Sequence, residues 1–181
     1  MKKVLYFAAL ALMFAASSCE KSDIGGTATE KMAGQWYVLI DGVDEAGQPV
    51  ADDYCDLFGD GNFFINTYNT AANDPTKMFI EELGDVSLCG LKARINVNQD
   101  NMTFSSGGEV ENLSENSNAK YSALTITDGK IMLGAAHQPN GSVCDSIVFY
   151  VSFKGDPYPA AYGYTKYRVR GVRYSGLAEN D

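Results

Sequence analysis

The chain has 181 residues, of which 23 are acidic, 14 basic and one histidine, for a formal charge of −9. That balance excludes a nucleic-acid-binding surface and a basic face lying on anionic lipid. The length allows one domain with a real hydrophobic core.

Lys2 and Lys3 open the chain, and residues 4–16 follow without a charge. Such a run is too short to span a bilayer, which needs about 20 residues, but suits the core of a signal peptide. It ends in Ala16-Ser17-Ser18-Cys19, which resembles the lipobox of bacterial lipoproteins. That resemblance implies cleavage before Cys19 and acylation of this cysteine, with several acyl chains holding the protein on a membrane far better than one. Residues 1–18 are therefore read as a signal peptide, 19–32 as a polar, unpatterned tether, and 33–181 as the folded domain. Cleavage takes away two of the 14 bases and no acid, leaving −11. Glu20 and Asp23 resemble the acidic export signal of surface lipoproteins in Bacteroidetes. The predicted location is the cell envelope, anchored to the outer membrane on its periplasmic or outer face.

Strand then follows strand. Residues 34–40 form the first, and a turn spans 41–49. Residues 54–58 and 63–70 follow, joined by a tight hairpin at Asp60-Gly61. A short strand covers 78–82. Leu91, Ala93, Ile95 and Val97 alternate with Lys92, Arg94, Asn96 and Asn98, the pattern of a half-exposed strand. Residues 102–104 extend again, and the polar stretch 105–120 reads as a loop. Residues 121–127 and 130–135 flank a second hairpin at Asp128-Gly129. In Val143–Phe153 the apolar residues Val143, Ile147, Phe149, Val151 and Phe153 share one face, and Asp145 falls in register with them. A carboxylate on a buried face needs a partner. The basic strand of residues 164–175, with Lys166, Arg168, Arg170 and Arg173, offers one. No stretch of the domain has the periodicity and caps of a helix. Eight to ten short antiparallel strands with frequent turns predict an all-β barrel or sandwich.

Gly34-Gln35-Trp36 resembles the opening motif of lipocalins, in which an arginine of the last strand packs over the tryptophan. Arg173 is placed for that role, which cation–π attraction explains. Trp36, Arg173 and Asp145 are thus expected to meet where the first and last strands close the barrel, with Arg168 on the outer face. A second resemblance is broader. Asp145-Ser146-Ile147, the strand through Phe153, Lys154-Gly155-Asp156-Pro157 and the ending Gly171-Val172-Arg173-Tyr174-Ser175-Gly176-Leu177 are similar to a Bacteroidetes lipoprotein family called lipid-binding putative hydrolases. The ending departs from that family's pattern at Tyr174, Ser175 and Leu177. The resemblance implies a lipocalin-like barrel and brings no catalytic constellation with it.

The residues themselves supply little chemistry. His137 lies near Cys144 and Asp145 in sequence, but alternation puts Cys144 and Asp145 on opposite faces. No Gly-x-Ser-x-Gly elbow occurs. Asp56 to Asn62 lacks the oxygen ligands of a calcium loop. The doublets Asp44-Glu45, Asp52-Asp53 and Glu81-Glu82 read as solvated carboxylates. Cys55, Cys89 and Cys144 allow one disulfide or three buried thiols. No cofactor, metal or nucleic-acid partner is expected. Tyr158, Tyr162 and Tyr164 are the candidate ligand-contacting aromatics. The reading is a lipid-anchored barrel that binds a hydrophobic or amphipathic, lipid-like small molecule, its membrane contact made through Cys19. Its rivals are a glycan-binding or adhesion module of the envelope and a hydrolase.

Overall fold

The computed structural model describes residues 26–50, 61–84, 88–116, 119–177 and 180. Nine strands run in chain order as β1 (Gly34–Val43), β2 (Phe63–Asn69), β3 (Lys77–Leu83), β4 (Lys92–Asn98), β5 (Thr103–Ser105), β6 (Val110–Glu111), β7 (Ala123–His137), β8 (Val143–Phe153) and β9 (Lys166–Arg173). All pairings are antiparallel. Successive strands from β1 to β5 are neighbours, β5 pairs with β7, and β7, β8, β9 and β1 complete the ring. The result is a closed, lipocalin-like barrel of eight strands, with β6 a short addition beside β7. Closure removes the free edges that would otherwise invite pairing with other chains.

Alternation explains which side chains fill it. Trp36, Val38 and Ile40 of β1 point inward, as do Ile65, Met78, Ile80, Ala93, Ile95, Ile126, Ile147, Phe149, Val151, Tyr167 and Val169, and each is at most 3% exposed. Burial of this degree leaves no water-sized space against these residues, so among the described residues the barrel is packed rather than hollow.

Four elements differ from the sequence reading. β1 does not end at Ile40 but continues through Val43, so Asp41 is a strand residue. Asp128-Gly129 makes no hairpin. β7 is one strand of 15 residues, and the pair forms a bulge at which the register to β8 shifts between Thr127 and Lys130. Asp128 takes the positive φ of 51° that Asp tolerates better than most residues. Gly129 leaves room for a ring, since a Cβ there would lie 2.3 Å from Phe104. The bend lets one strand serve β5, β6 and β8. The 105–120 segment is not all loop, because it ends β5 and contains β6. A helix also occurs, α1 (Tyr158–Tyr162), a single turn between Pro157 and a left-handed Gly163 with φ 79°, too short to show periodicity. The strand expected at 54–58 lies outside the described residues, as does Asp60 of the first Asp-Gly pair.

Candidate functional site

One end of the barrel is closed by Arg173. Trp36 and Arg173 are cross-strand partners, and the guanidinium carbon lies 4.4 Å from the Trp36 ring centroid. Arg173 Nη1 donates to the Ala33 carbonyl at 2.7 Å and Nε to Asp145 Oδ2 at 2.9 Å. The other Asp145 oxygen accepts the Gly134 N–H at 2.9 Å. The indole N–H donates to Thr67 Oγ1 at 2.9 Å, and that hydroxyl donates to the Met32 carbonyl at 2.7 Å. Gly34 completes the arrangement, because a Cβ there would fall 2.1 Å from Arg173 Nη1. The Gly-x-Trp spacing thus has a steric cause: the glycine makes room for the arginine that covers the tryptophan. The structure brings Trp36, Arg173 and Asp145 together.

The opposite end is plugged by polar groups that satisfy one another. Asp156 accepts hydroxyl hydrogen bonds from Tyr121 at 2.9 Å and Tyr167 at 2.5 Å, and the Tyr158 N–H at 3.0 Å. Tyr164 donates to the Tyr167 hydroxyl at 3.2 Å. Burial and the nearby Asp156 carboxylate raise the pKa of Tyr121 and Tyr167 above that of free tyrosine, which keeps both as donors. Glu82 is not the solvated carboxylate expected. It accepts backbone N–H groups of Leu88 at 2.5 Å, Gly90 at 3.0 Å and Leu91 at 3.2 Å, and so folds a buried loop over this end. That convergence accounts for the positive φ of Cys89 and Gly90. Glu81 is engaged too, by Tyr68 at 2.6 Å and Lys92 at 3.2 Å.

The three candidate tyrosines are divided. Tyr164 is 5% exposed and belongs to the core. Tyr162 is exposed and stacks on Tyr158 at 6.0 Å in the short helix. They do not form one aromatic lining.

Among the described residues, neither Cys89 nor Cys144 is prepared for nucleophilic chemistry. Cys89 and Cys144 are free thiols, so no disulfide joins them. Burial pushes Cys89 up to about 12, and burial with the Asp145 charge also raises Cys144, so both stay protonated near neutrality. His137 is opposite Val143 in the ladder and Cys144 is opposite Ala136. Directly paired residues share a face, so His137 and Cys144 point to opposite sides of the hairpin. Among the described residues no cluster of three or more His, Cys, Asp or Glu side chains is arranged to hold a metal.

The outer wall holds a different feature. A groove of about 470 Å³ runs between β3, β4 and β6, lined by Lys77, Phe79, Arg94, Asn96, Ser106, Val110, Glu111 and Leu113. Phe79 and Arg94 are neighbours across β3 and β4, both on the outward side because Met78, Ile80, Ala93 and Ile95 face in. Phe79 stacks on Tyr68 at 5.5 Å, which fixes its ring as a floor. The Lys77 ammonium donates to the Asn96 side chain. Arg94 is exposed, and among the described residues no carboxylate lies within ion-pairing distance of it. A guanidinium without an ion-pair partner among the described residues, in a groove that also holds apolar side chains, can receive an anion carrying an apolar body. The sequence placed Arg94 on an exposed strand face. What it did not reveal was the later segment that folds back beside that face, with Leu113 N–H bonded to the Lys92 carbonyl at 2.8 Å.

A family model described as lipid-binding putative hydrolase matches residues 21–178. The chain belongs to that family. A search of curated proteins finds no match to it. Membership in the lipid-binding putative hydrolase family and the closed barrel together support a lipid-binding barrel protein. Neither free thiol nor His137 supplies a counterpart to the hydrolase half.

Proposed function

We propose that this chain is a lipoprotein of the cell envelope, anchored through acylated Cys19, whose barrel binds an anionic lipid-like amphiphile along its outer wall. One observation carries the ligand reading: Arg94, with no ion-pair partner among the described residues, shares the groove with Phe79, Val110 and Leu113 as well as with Glu111, while the described inward side chains are buried. A carboxylate or phosphate head would pair with Arg94, with Lys77 nearby, and an apolar chain would lie along the groove. The groove volume falls in the range of roughly 300–1,000 Å³ usual for small-molecule sites.

Titration with a fluorescent long-chain fatty acid tests this reading. Arg94→Glu should weaken binding at least about tenfold, about 1.4 kcal/mol, while binding of the corresponding neutral alcohol changes little. Equal affinity of wild type and Arg94→Glu for the acid would remove the groove as the site.

The anchor is tested separately. It rests on Ser17-Ser18-Cys19 after an apolar run. Cys19→Ala should release the protein from the membrane fraction or leave it unprocessed. A variant that matures and fractionates like wild type would defeat the lipobox reading.

A further inference from the structure

We propose that the barrel rim at which the chain enters β1 rests on a neutral, zwitterionic lipid surface, with Leu133, Val143 and Leu177 seated among the headgroups. This rests on the reading of the chain as membrane-anchored and adds to it a fixed orientation. The β7–β8 hairpin overhangs that rim. β9 pairs with β8 from Ser146 onward, whereas β7 and β8 stay paired out to His137 and Val143. Leu133 and Val143 are 59% and 65% exposed. Val143 lies against Gly134, the residue after Leu133, since a Cβ there would lie 3.5 Å from a Val143 methyl. Leu177, 49% exposed, belongs to a tail braced on the hairpin, where the Asn140 N–H donates to Asn180 Oδ1 at 3.1 Å and Asn180 Nδ2 to Ser175 Oγ at 2.9 Å.

Charge points the same way. Residues 131–144 contain no Asp, Glu, Lys or Arg in a chain that is 20% charged. Exposed aliphatic groups on a charge-free hairpin gain by leaving water and carry no ion to desolvate. Asp145 and Arg173 are closed on each other at 2.9 Å, and the exposed Glu30 and Lys31 just before β1 are of opposite sign. The acidic excess of the chain disfavours an anionic surface, hence a zwitterionic one.

The covalent path agrees. The described chain reaches this rim, since Ala33 accepts from Arg173 at 2.7 Å, Gln35 from the Tyr174 N–H at 2.9 Å, and the Ala28 N–H bonds Asn73 at 2.7 Å. Between Cys19 and Gly26 the backbone can extend at most about 25 Å. An acylated Cys19 would therefore hold this rim, and not the Tyr162 end, against the bilayer.

Tryptophan substitution reads the orientation. Leu133→Trp, Val143→Trp and, at the opposite end, Tyr162→Trp would each be purified as membrane-derived mature protein and placed on phosphatidylcholine vesicles containing acyl-brominated lipid. All three sites are exposed, and the native Trp36, 0% exposed, supplies a constant background. The expected result is co-sedimentation of all three, with emission from Trp at 133 and 143 quenched by half or more and that at 162 unchanged. Co-sedimentation with equal quenching at both ends, or with none at 133 and 143, overturns the orientation and leaves the anchor standing. Failure to co-sediment overturns both.

Discussion

Replacing Arg168 and Arg170 together by alanine should destabilise the domain by about 4 kcal/mol, well beyond the sum of the single changes. Both guanidinium groups serve Asp41, which is 0% exposed although it lies on the outer side of β1. Arg168 binds Oδ2 through Nε at 2.9 Å and Nη2 at 2.7 Å. Arg170 binds Oδ2 through Nε at 2.7 Å and Oδ1 through Nη2 at 3.3 Å. Either arginine alone still neutralises the carboxylate, so each single variant should lose only about 1 kcal/mol. Removing both leaves a buried charge without its partners, which costs far more than the pair itself was worth. Adding Asp41→Ala to the double variant should then recover part of the loss. Denaturant melts of wild type and the four variants check this. A double variant that equals the sum of its singles would show that Asp41 does not depend on these two groups.

Arg173→Ala is expected to cost roughly 3 kcal/mol, because it removes the cation over Trp36 and strips Asp145 of its charged partner. At roughly 2–4 °C per kcal/mol for a domain of this size, the melting temperature should fall by about 6–12 °C. The loss should exceed that of Arg168→Ala alone, since Asp41 keeps Arg170 whereas, among the described residues, Asp145 keeps only the Gly134 N–H. Arg173→Lys should restore part of it, as a point charge cannot reach Ala33, Asp145 and the indole face at once. Trp36 is the single tryptophan, so its emission reports directly on the cover. It should move to longer wavelength in Arg173→Ala as water reaches the ring. Unchanged emission and an unchanged melting temperature would refute the closing role of this arginine.

These two sites differ in how far they can be read without coordinates. The strands, their inward faces and the all-β class follow from alternation in the sequence, because a strand's two faces are separated by one residue and burial of one face leaves a period of two. The same rule put Asp145 in register with an inward face, and the Gly-x-Trp motif suggested where Arg173 belonged. The apolar run before Cys19 is likewise a property of local composition. Other features depend on register between distant strands. Asp41 looked like the first residue of a turn, as an Asp after an apolar run commonly is. Only the pairing of Asp41 with Arg168 across β1 and β9 makes it a buried partner of two cations. Asp128-Gly129 has the chemistry of a hairpin turn, yet a bulge uses the same positive φ, and the competing partners β5, β6 and β8 decided between them. Glu82 had the look of a surface acid until a loop six to nine residues later folded its N–H groups onto it. The groove around Arg94 joins residues up to 36 positions apart, from Lys77 to Leu113. Local sequence determined the faces of the strands, and tertiary structure decided which charges meet across them, because pairing register is set by the closure of the whole ring.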